Sequence, residues 1–212
     1  MEVGKFPAAL LEKILAKVDI SDPRVVVGPR VGEDTAVLKT GGSLLVAKSD
    51  PVTFATDRIG WYAVQVNAND VACTGGTPKW FLATLLVPQR FTEDDAEAVF
   101  DQILEACRSL DVSLVGGHSE VTYGIDRPII MGTMLGEVEQ DRLILTGGAQ
   151  DGDSIVLTKG IAIEGTALLA QERPAALLQG GMTQGEIDQA ASLLSVPGIS
   201  VLNDARIACA SS

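Results

Sequence analysis

Four short segments carry the residue types that could do chemistry: Gly32-Glu33-Asp34-Thr35, Ser49-Asp50-Pro51, Asn67-Ala68-Asn69-Asp70 and Gly116-Gly117-His118-Ser119-Glu120. Carboxylates spread over several loops of one sheet are the hard oxygen donors magnesium takes. One or two serve each ion, and phosphate oxygens and water complete the shell. Ions held this way would neutralise a triphosphate and clamp its β and γ oxygens during phosphoryl transfer. Taken singly, three of the segments have plainer readings. Gly-Glu-Asp-Thr and Ser-Asp-Pro are ordinary turns, and Gly-Gly-His after a strand suits a tight turn with a hydrogen-bonded histidine. The Asn-Ala-Asn-Asp segment is less ordinary, because three polar residues within four positions of an apolar helix each need a partner if buried.

Other chemistries lack their residues. No GxxxxGK[ST] phosphate loop, GxGxxG dinucleotide turn or GxSxG nucleophile motif is present. His118 is the single histidine, which excludes multi-histidine metal sites. It is not expected to bind zinc, since zinc needs three or four converging ligands. Two roles stay open for it: contact with phosphate or substrate, which makes it the one catalytic candidate, or a structural hydrogen bond.

The elements that must position these residues follow from hydrophobic spacing. Residues 6–18 have helical periodicity. Short strands are expected at 24–27, 36–38 and 44–47, the last two around a turn at 39–43. Residues 58–73 read as a helix ended by Thr74-Gly75-Gly76-Thr77-Pro78. A buried strand at 80–87 precedes a helix capped by Thr92, with Glu93, Asp94 and Asp95 matching its dipole. Strands at 112–115 and 129–138 complete an order α-β-β-β-α-β-α-β-β, an α+β or α/β sheet domain. A second unit would begin after 147–153 with a strand at 152–158 and helices at 164–171 and 184–195, too little for a good core of its own.

Composition narrows the partners. The 212 residues are 46% hydrophobic and carry a net charge of −12. That charge repels a phosphate backbone and an anionic membrane surface, so neither nucleic acid nor membrane is an expected partner. Three cysteines, Cys73, Cys107 and Cys209, form no CxxC, and a reducing cytoplasm is the compartment they suggest. Cys209 reads as a small buried apolar residue.

In order and spacing, the four segments resemble the signatures of the AIR synthetase (PurM-like) superfamily. Val31-Gly32-Glu33-Asp34-Thr35-Ala36-Val37-Leu38 is similar to its G-[DE]-D-[AT]-A-V-L element. Ser49-Asp50-Pro51 stands at its second acidic position, after a strand. The run from Asn67 to Pro78 resembles its N-x-[NS]-D helix, and Val115 to Thr122 its V-[GT]-G-[DH]-[TS] element. The resemblance covers roughly residues 5–205. It implies an N-terminal α+β domain, residues 1–148, whose sheet pairs with a second subunit to make a homodimer. Residues 149–212 would be the truncated beginning of an α/β C-terminal domain. It also implies ATP- and magnesium-dependent phosphorylation or activation of an oxygen, often at an amide-like carbonyl of a small molecule or a protein. Asp34, Asp50 and Asp70 would hold magnesium and the ATP phosphates; Asn67, Gly116, Gly117 and His118 would line the same groove.

Within the superfamily, Gly116 to Thr122 and Leu157 to Thr166 look most like the HypE-type (hydrogenase expression/formation) and AIR-synthase-related branch. The thiamine-monophosphate kinase pattern has Asp where His118 stands. Selenophosphate synthetase has a reactive residue near its start that residues 1–30 lack, and the C-terminal cysteine tail of the HypE type is not matched here. Two alternatives stay beside the HypE-like reading: a thiamine-monophosphate-kinase-like small-molecule kinase, and a non-catalytic dimeric scaffold whose acidic loops are solvated turns.

Overall fold

The computed structural model describes residues 3–211. Up to residue 138 the chain runs α1 (Ala8–Leu15), β1 (Val25–Val27), β2 (Ala36–Lys39), β3 (Leu44–Val52), α2 (Ile59–Cys73), β4 (Thr77–Val87), α3 (Glu93–Ser109), β5 (Ser113–Val121) and β6 (Ile129–Val138). This is the expected order. The described residues beyond it are helical or irregular: α4 (Ile163–Glu172), α5 (Pro174–Gln179), α6 (Gln184–Ser192) and α7 (Leu202–Ser211). Among the described residues, no single helix is long and apolar enough to cross a membrane.

The six strands form one mixed sheet in the order β1-β2-β3-β6-β4-β5, antiparallel except for the β4–β5 pair. Alternation along each strand splits the side chains between two faces. Val46 of β3, Phe81, Ala83 and Leu85 of β4, and Ile130 and Met134 of β6 are buried in the core. Helices α2 and α3 cover that face. The opposite face carries Ala47, Trp80, Leu82 and Leu135 half-buried and Met131 exposed.

Helix α2 is the hub of the fold. Tyr62, Ala63, Val64, Gln65, Asn67, Ala68 and Val71 are all buried, so it has no solvent stripe. The sheet takes one side, α3 another, and the C-terminal helices a third. Asn69 fastens that third side: its Nδ2 donates to Ile199 O at 2.9 Å, and its Oδ1 accepts from Val201 N at 2.9 Å. Ala167, Leu194 and Ile199 therefore join the same core cluster as Val46 and Phe81.

Three expectations change. Residues 152–158 form no strand: no neighbouring strand pairs with them, and Ile155 is fully solvated at 101% relative exposure. Strand β3 runs on through Lys48 to Val52, because β6 pairs with it residue for residue along that length. Strand β5 continues through Gly116 to Val121 rather than turning at Gly-Gly-His, because β4 offers a parallel ladder from Trp80 to Val87. Gly117 is needed there. Its φ is +147°, and a Cβ would lie 1.9 Å from Ala83 O.

Candidate functional site

Strand β3 buries Leu44 and Val46 on its helix-facing side, and the next residues of the same parity are Lys48 and Asp50. Charged groups thus replace apolar ones where α2 presents Asn67 and Asp70. The Lys48 side chain is only 6% exposed, and its ammonium gathers three carboxylates. Asp70 Oδ2 lies at 2.8 Å, Asp50 Oδ1 at 3.2 Å and Asp34 Oδ1 at 3.9 Å. The three aspartates expected to share a site do converge, from a loop, a strand and a helix.

Each carboxylate is held from behind. Asp50 is clamped by Asn67, which is fully buried: Oδ1 accepts from Asp50 N at 2.9 Å, while Nδ2 donates to Ala63 O at 2.8 Å and reaches Asp50 O at 3.4 Å. Gly132 of β6 makes room for that amide, since a Cβ there would come within 2.4 Å of Asn67 Nδ2. Asn67 is accordingly a positioning residue whose polar atoms are engaged by backbone. The Asp34 loop is tied down twice. Thr35 and Thr74 share a buried hydroxyl–hydroxyl bond of 2.9 Å, and Thr146 Oγ1 lies 2.8 Å from both Gly32 O and Glu33 Oε1. Asp70 needs no loop anchor, because α2 itself carries it.

The electrostatics follow from this packing. Burial pulls the Lys48 ammonium down, but Asp70 and then Asp50 outweigh it, so its pKa is raised and its charge secured. Burial pushes the Asp70 carboxyl up; Lys48 opposes that, and Asp50 and Asp34 add to it by like-charge repulsion. Glu164, at the start of α4, is raised by burial and by Asp70, so a fourth carboxylate faces the same field. Burial first, then Asp70 and Asp34, raise the Cys73 thiol. It stays protonated and is poorly suited to act as a nucleophile. A cavity of about 100 Å³ opens beside Asp34, Asp70, Cys73 and Thr74.

The Gly116–Glu120 segment does not join this centre within one chain. Asp50, Gly132, Ala83 and Gly117 lie in one row across the sheet. Gly117 is therefore three strand spacings from Asp50, about 14 Å. His118 shares its row with Thr84, Met131 and Pro51, and by alternation it sits on the face opposite Lys48 and Asp50. There its Nε2 lies 3.0 Å from Glu120 Oε2, both side chains well exposed. Cys209 is half-buried, with its Sγ 3.8 Å from Arg142 O.

The oxygen donors suit magnesium in a particular mode. Among the described residues, no group of three His, Cys, Asp or Glu side chains forms a ready metal cage. The aspartates surround an ammonium instead. Such a set can offer one or two carboxylates to an ion that brings its own phosphate oxygens and water. Lys48 was not legible as a site residue, although a lysine on the inward parity of an apolar strand is a usable signal, since it must find acids.

Residues 32–138 match the family model described as AIR synthase related protein, N-terminal domain. A putative hydrogenase expression/formation protein of Methanocaldococcus jannaschii is 27% identical over 78% of this chain and 51% of its own length. A thiamine-monophosphate kinase of Rhodopirellula baltica is 33% identical over 72% of this chain and 51% of its own length. Among solved structures, AaThiL complexed with AMPPCP and TMP aligns with a TM-score of 0.70 at 21% identity, covering 94% of this chain and 60% of that one. That likeness shows the fold. The chain spans about half the length of the curated relatives it matches.

Proposed function

Because this chain belongs to the AIR synthase related family through its N-terminal domain, we propose that it binds ATP with magnesium at Asp34, Asp50, Asp70 and Lys48. In this reading it serves phosphoryl transfer to, or activation of, an oxygen acceptor such as a carbonyl. The observation that carries the reading is the convergence of three carboxylates from three separate elements on one buried lysine. Structural ion pairs seldom need so many acids for one base, whereas a nucleotide site in an acidic chain needs both signs of charge close together.

Asp34, Asp50 and Asp70 would supply the oxygen ligands, one or two to each ion. Magnesium, when bound, neutralises phosphate charge and polarises a phosphoryl oxygen. Lys48 brings a fixed point charge to the same place, as lysines do at phosphates. Its three acids keep it protonated until phosphate arrives. Asn67 holds Asp50 in register with α2, and the Thr35–Thr74 bond holds the loop of Asp34. Gly116, Gly117 and His118 lie outside this centre in the single chain. We place residues 149–212 as the beginning of a second domain that adds helices to α2, and the acceptor pocket is completed beyond the N-terminal domain.

Two acceptor classes fit. A HypE-like carbonyl activation is supported by the similarity to the hydrogenase expression/formation protein. A small-molecule kinase is supported equally by the similarity to thiamine-monophosphate kinase. The sheet face bearing Trp80, Leu82, Met131 and Leu135 supports a homodimer, since a second sheet would cover its apolar side chains. Sedimentation at micromolar concentration tests this: a dimer is expected, and a monomer refutes it. Titration of ATP by calorimetry, with and without magnesium, tests the nucleotide reading. Binding that requires magnesium supports it, and no binding at millimolar nucleotide favours the scaffold.

A further inference from the structure

A second polar site lies where β3 and β4 end and β6 begins. Phe54, Arg90, Arg127, Leu168, Leu169 and Arg173 line an open cleft of about 470 Å³. That volume falls within the range of small-molecule sites. Three of the nine arginines of a chain with net charge −12 meet in this one place.

Two acids, Asp126 and Glu172, share the cleft and offset the three guanidinium charges only in part. Glu172 lies in the field of Arg127, but its oxygens are taken by neutral donors: Oε1 accepts from the Thr56 amide and, at 3.1 Å, from the Asp57 amide, while Thr56 Oγ1 donates to its Oε2 at 2.6 Å. Asp126 pairs with Arg127 through one nitrogen, Nε to Oδ1 at 3.3 Å, and is 79% exposed. Arg90 donates to the Asp126 carbonyl, a neutral acceptor, and feels the Asp126 carboxylate only through space. Among the described residues the Arg173 guanidinium has no ion pair. Guanidinium forks with open donors fit the oxygens of a phosphate or carboxylate. Apolar groups share the lining: Phe54 is 54% and Leu169 57% exposed, a surface suited to a flat or branched hydrocarbon body.

We propose that this cleft binds a small organic anion, its phosphate or carboxylate group held by Arg90, Arg127 and Arg173 and its apolar body resting on Phe54 and Leu169. The site is separate from the Lys48 centre and does not depend on the nucleotide reading.

Phenyl phosphate, titrated into the full chain by calorimetry and by amide NMR, tests the proposal. Saturable one-to-one binding is expected, roughly fivefold tighter than inorganic phosphate. Replacing Arg127→Gln and Arg173→Gln together should weaken it roughly tenfold or more, and Phe54→Ala should erase the preference over inorganic phosphate. Arg206→Gln should leave it unchanged. Three results would overturn the site: absence of saturation, wild-type affinity in the double arginine variant, or NMR shifts centred on Lys48 and Asp70, which would move the anion to the Lys48 centre. Should the double variant fail its folding check by circular dichroism, the NMR map decides. Shifts centred on Phe54, Leu168 and Leu169 support the cleft, and shifts centred elsewhere refute it. Magnesium-ATP binding is measured in parallel, so failure of either site is seen independently.

Discussion

Two polar segments that look alike on paper behave differently in the fold. Lys48-Ser49-Asp50 and Gly117-His118-Ser119-Glu120 each place ionisable groups two residues apart on a strand. On β3 those groups point toward α2, which answers with Asn67 and Asp70, and the Lys48 side chain is 6% exposed. On β5, an edge strand, they point the other way, and His118 and Glu120 pair in solvent. The difference is one of parity and position in the sheet, since a one-residue shift moves a side chain to the opposite face. A charge becomes structurally demanding only where the neighbouring layer is protein.

The largest effect expected from this contrast is on stability. Lys48→Met leaves three carboxylates facing one another without their cation and should cost on the order of 3 kcal/mol, read from urea unfolding. His118→Gln, which breaks an exposed pair, should move the same midpoint by less than about 0.5 kcal/mol. Equal losses in the two variants would erase the distinction.

Asn67→Ala sharpens the comparison from the other side. It leaves the Asp50 amide buried without its acceptor, which should cost about 1–3 kcal/mol. The charge cluster is untouched in composition, so a neutral result would mean that Asp50 is held by the β3–β6 ladder alone.

Alkaline unfolding gives a smaller signal with a defined sign. The pKa of Lys48 is raised in the folded chain, despite burial, by Asp70 and Asp50. Its contribution is therefore fully present below the ordinary lysine range and is lost as pH rises through the raised value. Stability should fall across that alkaline window in the wild type, and the slope should be shallower in Lys48→Met. At the acid end, burial pushes the Glu172 carboxyl up, but hydrogen bonds from Thr56 and Asp57 outweigh it and hold it low. The contribution of Glu172 is present above the ordinary glutamate range and is lost as pH falls through the lowered value. Glu172→Gln should flatten that acid limb of the melting-temperature profile.

Much of this was legible from the residues. Apolar spacing marks the helices at 58–73 and 92–110 and at least the start of every strand, whereas the exposed stretch Gly116–Val121 of β5 buries no regular face and carries no such signal. The resemblance carried by the four motifs implies one site for Asp34, Asp50 and Asp70, and the fold brings them together around Lys48. Lys48 escaped because a lysine inside an apolar run reads as the end of a strand, and only the facing helix shows that it is an interior group. The hold of Asn67 on Asp50 was not legible, because β3 brings the Asp50 backbone to it through tertiary packing, beside the Ala63 carbonyl one turn back on its own helix. The 152–158 run has the β-branched apolar residues of a strand, yet a strand needs a neighbour to accept its hydrogen bonds, and none stands beside it.

The central claim is that Asp34, Asp50 and Asp70 with Lys48 form one magnesium-dependent nucleotide site. Calorimetric titration of ATP into the wild type and into Asp34→Asn, Asp50→Asn and Asp70→Asn, each with and without magnesium, tests it most directly. The account predicts tight binding only with magnesium in the wild type, and a loss of roughly tenfold or more in each variant. Unchanged magnesium dependence in all three variants would contradict it.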